Sequence, residues 1–155
     1  MLLKKISLFL FASMAVFQVN AQQVQLIPEP SSVKIGTGNF QLPKQISIQM
    51  PASFEGIGKE MGVRLKTATG KSAVFNNQKT ATIRFEQIQE KALGKEGYRL
   101  TVDEKGIQVK AQTYAGALYA YQSILQLCPP AIYSNLAHSK TNWNLPYVQI
   151  MDTPS

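Results

Sequence analysis

The sequence contains only one cysteine and one histidine in 155 residues. A single cysteine excludes a disulfide within the chain, and two such ligands are too few for a zinc site with ordinary spacing. A cysteine nucleophile would need His138 as its base and an acidic residue to orient the imidazole. No Asp or Glu lies between Cys128 and Met151, so Cys128 is predicted to be a packing residue at a helix end.

Other patterns typical of catalysis or cofactor binding are missing too. The sequence has no paired histidines, no serine-elbow motif and no glycine-rich phosphate loop, and Gly36-Thr37-Gly38 is interpreted as a turn. The only adjacent Asp-Glu pair, Asp103-Glu104, falls in a predicted hairpin turn, where exposed carboxylates are common. We therefore predict no catalytic, cofactor-binding or metal-binding residue in this chain.

Basic residues outnumber acidic residues by 16 to 9, which gives a formal net charge of +7. The lysines and arginines are scattered without a run of four, and aromatic residues do not alternate with them as a nucleic-acid platform requires. We interpret the charge as a solvated surface and expect no nucleic-acid partner.

Residues 1–21 have the pattern of a secretory signal peptide. Lys4 and Lys5 supply a positive start, residues 6–19 are largely apolar, and small or tolerated residues lead to Ala21. The apolar segment is too short and wrongly flanked for a stable membrane span, which takes about 20 apolar residues. We expect cleavage after Ala21 and a periplasmic or extracellular location.

Apolar spacing predicts five short strands and one helix between residues 33 and 86. The helix is predicted over residues 53–67, with Ser53 as its N-cap and Gly70 closing it. Its predicted buried stripe is Phe54, Ile57, Met61 and Leu65. The strands are predicted at 33–35, 40–42, 45–50, 72–75 and 81–86, with residues 36–39 between the first two.

The clearest pattern lies between residues 97 and 127. Residues 98–102 and 107–111 alternate apolar and polar side chains around a turn, which predicts a β-hairpin. Thr113 is placed to cap a second helix over 114–127, with an apolar stripe of Tyr114, Leu118, Tyr121 and Leu125. This order of elements predicts an α+β domain, a mostly antiparallel sheet with two helices packed on one face.

Five aromatic residues could instead form a sugar-stacking platform: Tyr114, Tyr119, Tyr121, Trp143 and Tyr147. The helical spacing predicts that Tyr114 and Tyr121 lie in the core and that Tyr119 lies off the stripe. Aromatic faces of helices are usually buried, so the core interpretation is favoured over sugar binding.

Three segments in order carry a family resemblance. They are 26–33 (LIPEPSSV), 97–100 (GYRL) with 115–127 (AGALYAYQSILQL), and 145–154 (LPYVQIMDTP). They resemble the opening, the end and the lead-in to the catalytic barrel of the N-terminal accessory domain in glycoside hydrolase family 20, the β-N-acetylhexosaminidases. After the predicted signal peptide at 1–21, the resemblance implies an accessory domain at 22–130 and a linker with the start of a missing (β/α)8 barrel at 131–155.

The resemblance also implies a function for a longer parent chain. The parent would be a secreted enzyme that hydrolyses terminal β-linked N-acetylglucosamine or N-acetylgalactosamine by substrate-assisted catalysis, with an Asp-Glu pair on the barrel. No residue of this chain matches those roles, so the expected partner is the barrel of the same longer chain, with no cofactor. The alternative is a free-standing secreted domain that binds carbohydrate or protein.

Overall fold

Strands of alternating apolar and polar residues assemble into one seven-stranded sheet. The computed structural model describes residues 24–153, so the predicted signal peptide lies outside the described residues. The strands are β1 Ser32–Gln41, β2 Gln45–Gln49, β3 Ser72–Phe75, β4 Ile83–Gln87, β5 Tyr98–Asp103, β6 Gly106–Ala111 and β7 Asn144–Asp152. Their order across the sheet is β1-β7-β5-β6-β4-β2-β3.

The sheet divides into an antiparallel half and a parallel half. Strands β1, β7, β5 and β6 pair antiparallel, whereas β6, β4, β2 and β3 pair parallel. The α+β prediction is confirmed, but the sheet is mixed instead of mostly antiparallel. The reason is that a helix joins β2 to β3 and returns the chain to its starting end, which makes neighbouring strands parallel.

Two helices, α1 Glu55–Thr69 and α2 Tyr114–Leu127, cover the apolar face of the sheet, as predicted. Helix α2 contacts β5 and β6, and α1 contacts β3. The register places the buried side chains of neighbouring strands side by side on this face. They include Ile46, Ile48, Ile83, Phe85, Leu100, Val102, Ile107, Val109, Val148 and Ile150.

Helix α1 begins two residues later than predicted. Ser53 does not cap it, because Ser53 lies in a 3-10 turn over Ala52–Phe54 and its hydroxyl donates to Gln87 Oε1 at 2.8 Å. The predicted stripe is fully buried, and Gly70 closes the helix with a φ of 71° while its N–H donates to the Lys66 carbonyl. Propensity and periodicity therefore located the helix, and a tertiary contact of Ser53 decided its first turn.

Helix α2 spans the predicted residues, and Thr113 caps it by accepting from the N–H of Gly116 at 3.3 Å. The predicted stripe is wrong at its first residue, because the Tyr114 side chain is 46% exposed. The buried face of α2 begins instead with the small residues Gly116, Ala117 and Ala120, and large side chains such as Tyr121 and Ile124 continue it. Small side chains let the helix backbone approach the sheet closely, which leaves Tyr114 outside.

Strand β1 is continuous where two strands and a turn were predicted. Its pairing with β7 continues on both sides of a register shift between Ile35 and Asn39. A side chain at Gly38, whose φ is 121°, would lie 2.6 Å from the ring of Tyr147. Gly36 and Gly38 therefore leave room for the Tyr147 side chain at the bulge in β1.

Residues 131–153 pack within the same domain. Strand β7 lies between β1 and β5, and the segment before it contributes the buried side chains of Ile132 and Trp143. The Trp143 indole donates to the carbonyl of His138, whose own N–H donates to the carbonyl of Ala68 in α1. Residues 131–153 therefore contribute one central strand and two large buried side chains to the core of the described domain.

The other face of the sheet is polar. It carries Lys34, Gln149, Thr101, Gln108 and Arg84 in register, and ion pairs join Arg99 to Glu90 and Lys110 to Glu86. These pairs are exposed and contribute little stability each. Within residues 24–153, neither helix has the length and apolar character needed to cross a membrane.

Because α2 lies close to the sheet, adding one methyl group at Gly116 should lower the stability of the domain. A Cβ on Gly116 would overlap the carbonyl oxygen of Gly97 at the start of β5. We expect Gly116→Ala to lower the free energy of unfolding by about 1–3 kcal/mol, measured by urea denaturation followed through Trp143 fluorescence.

Gly56→Ala is the matched control, because Gly56 also lies in the first turn of a helix. Its nearest neighbour would be the Tyr114 hydroxyl at 3.1 Å, the far end of an exposed side chain. This variant should be neutral or up to about 1 kcal/mol more stable. Equal destabilisation by both substitutions would contradict the close-packing argument.

Candidate functional site

Large apolar side chains that remain exposed among residues 24–153 lie on the helix side of the sheet or on its rim. They are Ile27, Ile35, Val63, Phe75, Tyr114, Tyr119, Tyr133 and Leu136. Single exposed apolar residues are ordinary in soluble proteins, so their distribution between the two sides of the sheet is the informative observation.

Both helices and the segment that follows α2 contribute exposed apolar residues to the helix side of the sheet. Val63 projects from α1, 67% exposed, and Tyr119 from α2. Tyr133 and Leu136 follow α2, where a 3-10 turn over Pro130–Tyr133 contacts α1. These residues, with Ile27, define what we call the helix-side surface.

The two edge strands extend the same side. Ile35 of β1 pairs with Val148, and Phe75 of β3 pairs with Ile48. Because residues paired across strands share a face and both partners are buried under the helices, Ile35 and Phe75 also point to the helix side. The opposite face carries the charged and amide side chains already described, whereas the helix side exposes large apolar residues among charged ones such as Lys59, Glu60 and Lys66.

A cavity of about 200 Å³ opens on the helix-side surface between α2 and the N-terminal segment. Its wall includes the Tyr98 hydroxyl, which is hydrogen-bonded to Ser123 Oγ at 2.6 Å. Burial raises the pKa of Tyr98, against the opposing effect of that hydrogen bond. The amide group of Gln126 accepts from the N–H of Ile27 at 2.8 Å and donates to its carbonyl at 3.1 Å. These hydrogen bonds hold the N-terminal segment on α2.

The five aromatic residues do not form one platform. Tyr121 and Trp143 are buried in the core, and Tyr147 packs on Gly36 and Gly38 of β1. Tyr119 is exposed, as expected from its position off the stripe. Of the five, Tyr119 alone borders the cavity. The five residues therefore do not provide a shared surface on which a sugar chain could stack.

Cys128 and His138 have separate structural surroundings. The Cys128 thiol is buried, and burial raises its pKa to about 12. The His138 side chain is exposed, and its Nε2 is hydrogen-bonded to Ser134 Oγ at 2.9 Å. A buried thiol held in its neutral form is a packing group at the end of α2, in agreement with the interpretation of the sequence.

The Asp103-Glu104 pair lies in the β5–β6 hairpin. Asp103 Oδ1 accepts from the N–H of Lys105 at 2.8 Å, and Glu104 is exposed. Such a hydrogen bond is typical of an Asp that stabilises a tight turn. In the part of the chain that the structure describes, no cluster of three or more His, Cys, Asp or Glu side chains is placed to hold a metal ion.

The helix-side surface was not anticipated from the sequence. Val63 interrupts the polar side of α1, because it lies between the buried positions Met61 and Leu65 but faces away from them. An apolar residue on the polar side of a predicted helix was therefore the one sign of this surface in the sequence. Tyr133 and Leu136 belong to a segment without periodicity, so their exposure depends on the tertiary packing of that segment on α1.

Comparison with known families gives a match over the described domain. The family model of glycosyl hydrolase family 20, domain 2, matches residues 23–153. Among curated protein sequences, no match was found.

Solved structures similar to this chain come from enzymes of several bacteria. A Streptomyces plicatus N-acetyl-beta-hexosaminidase in complex with Thio-NAglucal is 27% identical, with a TM-score of 0.73, over 81% of this chain and 25% of that one. The GH20 beta-N-acetylhexosaminidase of Streptomyces coelicolor A3(2) gives the same four values. A Flavobacterium johnsoniae chitobiase is 26% identical, with a TM-score of 0.60, over 83% of this chain and 20% of that one. The match thus spans about a quarter or less of these relatives' lengths.

The buried thiol predicts a pH-dependent stability. An unfolded cysteine has a pKa near 9 and the folded Cys128 a pKa of about 12, so the unfolded state loses its proton first as the pH rises. The stability due to the protonated thiol is complete below about pH 9 and is lost progressively between about pH 9 and pH 12. We expect Cys128→Ala to show a shallower loss of stability over this window, measured by urea denaturation at each pH.

Thiol labelling provides the control for burial. Native protein at pH 8 should not react with a thiol-specific chromogenic reagent, and one thiol should react after unfolding in urea. Rapid labelling of the folded protein, or equal pH slopes for the two proteins, would contradict the assignment of Cys128 to the core.

Proposed function

The chain belongs to glycosyl hydrolase family 20 through its domain 2, and from this premise we propose that it is the non-catalytic N-terminal domain of a secreted β-N-acetylhexosaminidase. The observation that carries the proposal is the match of the family model to residues 23–153, which includes all seven strands and both helices. Relatives that share this fold with 26–28% identity are N-acetyl-hexosaminidases and a chitobiase.

The activity of the longer protein is part of the proposal. It would remove terminal β-linked N-acetylglucosamine or N-acetylgalactosamine, with the substrate's acetamido group as nucleophile and an Asp-Glu pair of the barrel as its catalytic partners. The residues of this chain take no step in that reaction. Their role is structural, because function resides in a site and the polar groups that we located here hold turns and segments together.

We propose that the helix-side surface packs on the barrel. It carries the exposed apolar residues Val63, Tyr119, Tyr133 and Leu136, whereas the opposite sheet face is polar. Burying apolar side chains against a second domain removes them from water, at roughly 25 cal/mol per Å². The polar face would remain in solvent.

Secretion is a further proposal, supported by the signal-like pattern of residues 1–21. We expect the mature protein to begin at Gln22 and to be found in the periplasm or the medium. Mass spectrometry of the fractionated protein would test this. A cytoplasmic protein that retains Met1 would refute it.

Sequencing the gene across and beyond the codon for Ser155 tests the proposed function directly. An open frame that continues into a barrel with an adjacent Asp-Glu pair supports a hexosaminidase. A stop codon at that point, with the mature protein found at this length, would favour the free-standing interaction domain. In that case calorimetry with N-acetylglucosamine oligomers would distinguish carbohydrate binding from protein binding.

The packing arrangement predicts the effect of placing charge on the helix-side surface. In a chain that continues through the barrel, Val63→Glu and Leu136→Glu should each lower the free energy of unfolding by about 1–3 kcal/mol, since a charge would be buried at the interface. In the present chain both side chains are exposed, so each change should stay within about 0.5 kcal/mol.

Gln149→Glu is the control, because Gln149 is exposed on the polar face of the sheet. Thermal unfolding of each variant, with and without the barrel, would measure the difference. If Gln149→Glu destabilised the longer protein as much as Leu136→Glu, the barrel would not pack preferentially on the helix side.

A further inference from the structure

Four hydrogen bonds join the N-terminal segment to the end of β7. Both the N–H and the hydroxyl of Ser31 donate to Asp152 Oδ1, each at 3.1 Å. The N–H of Thr153 donates to Ser31 Oγ at 3.1 Å, and the hydroxyls of Ser31 and Thr153 lie 3.2 Å apart. The chain positions that they join are 121 and 122 residues apart. We call these contacts the Ser31 clasp.

The hydroxyl of Ser31 uses its whole hydrogen-bonding capacity in the clasp. A serine hydroxyl provides one donor and two acceptor lone pairs. It donates a hydrogen bond to Asp152 Oδ1. Its two lone pairs accept hydrogen bonds from the N–H and the hydroxyl of Thr153. Fixing both the side chain of residue 152 and the backbone of residue 153 defines the direction in which the chain leaves β7.

The backbone of Asp152 is also fixed from its other side. Asp152 pairs with Tyr98 of β5, and a Cβ on Gly97 would lie 2.8 Å from the Asp152 carbonyl oxygen. The carbonyl of Gly97 in turn touches Gly116 at the start of α2. The end of β7 therefore lies between the helix layer, through Gly97, and the N-terminal segment, through Ser31.

We propose that Ser31 is a positioning residue that fixes Asp152 and Thr153, which we call the chain exit, and thereby the placement of a barrel domain in a longer protein. The placement of a following barrel rests on the proposed function, whereas the fixed exit of the chain does not. Ser31 acts through Asp152 and Thr153, and both contacts are formed within the described residues. The N-terminal segment thus has a role at the opposite end of the sequence.

Distances between two spin labels test the fixed exit in the present chain. The labels would be attached at Thr153→Cys, which keeps the backbone N–H that donates to Ser31, and at Lys66→Cys on the exposed end of α1, while the native Cys128 stays buried and unlabelled. We expect a narrow distance distribution with Ser31 present and one at least twice as wide with Ser31→Ala. Ser31→Thr keeps the hydroxyl and should restore the narrow distribution, and Ser32→Ala is the matched control.

Hydrogen exchange gives an independent measurement that does not depend on labels. Ser31→Ala should speed exchange of the Thr153 amide by roughly fivefold, the effect of losing one ordinary hydrogen bond. Amides of β5 and β6 should keep their rates, which would separate the clasp from a general loss of stability. Unchanged Thr153 exchange together with an unchanged distance distribution in Ser31→Ala would overturn the proposal.

The longer protein distinguishes this inference from the proposed function. If the gene encodes a barrel and Ser31→Ala lowers kcat/KM while Ser32→Ala does not, the clasp positions that barrel. An active longer protein whose kcat/KM is unaffected by Ser31→Ala would refute the positioning role and leave the proposed function intact. A longer protein with no hexosaminidase activity would refute the proposed function, and the distance measurement would still decide whether Ser31 fixes the chain exit.

Discussion

Backbone contact between α2, β5 and β7 is the constraint on which the domain depends. Gly116 brings the first turn of α2 against the carbonyl of Gly97, and Gly97 lies against the carbonyl of Asp152. Because no Cβ lies between the backbones at these two glycines, the first turn of α2, the start of β5 and the end of β7 have one relative position. A Cβ on Gly116 would force α2 away from the sheet, and a Cβ on Gly97 would overlap the Leu93 carbonyl and lie 2.8 Å from the Asp152 carbonyl oxygen. Each change is more costly than adding a methyl group to an exposed helix.

This tight inner packing explains why the tyrosines in the first turns of α2 are left outside the core, whereas Tyr121, Ile124 and Leu125 further along the helix are buried. The sheet accepts only Gly116, Ala117 and Ala120 along the first turns, and Tyr114 and Tyr119 are left exposed. The helix layer consequently keeps apolar surface on its outer side, while the uncovered sheet face is polar. These exposed apolar residues are the basis for the proposal that the helix side packs on a second domain.

Local patterns in the sequence predicted much of this fold. The hairpin, the Thr113 cap and the buried stripe of α1 depend on residues close together in the chain, and each was confirmed. The errors involve long-range contacts. Tyr147 packs on β1 where a turn was predicted and a bulged strand is found, and the Ser53 hydroxyl bonds to Gln87 instead of capping α1. The helix-side surface and the Ser31 clasp also depend on residues brought together only by the tertiary fold, so periodicity could not indicate them.

The position of β7 connects folding to the exit of the chain. Its residues fill the gap between β1 and β5, and they pair with β1 residues more than 100 positions earlier. Such a long-range pairing costs loop entropy that is recovered only when the strand joins the sheet. The sheet is therefore incomplete until the last strand is in place, and the same event brings Asp152 and Thr153 to Ser31. The contacts of the Ser31 clasp therefore require the completed sheet.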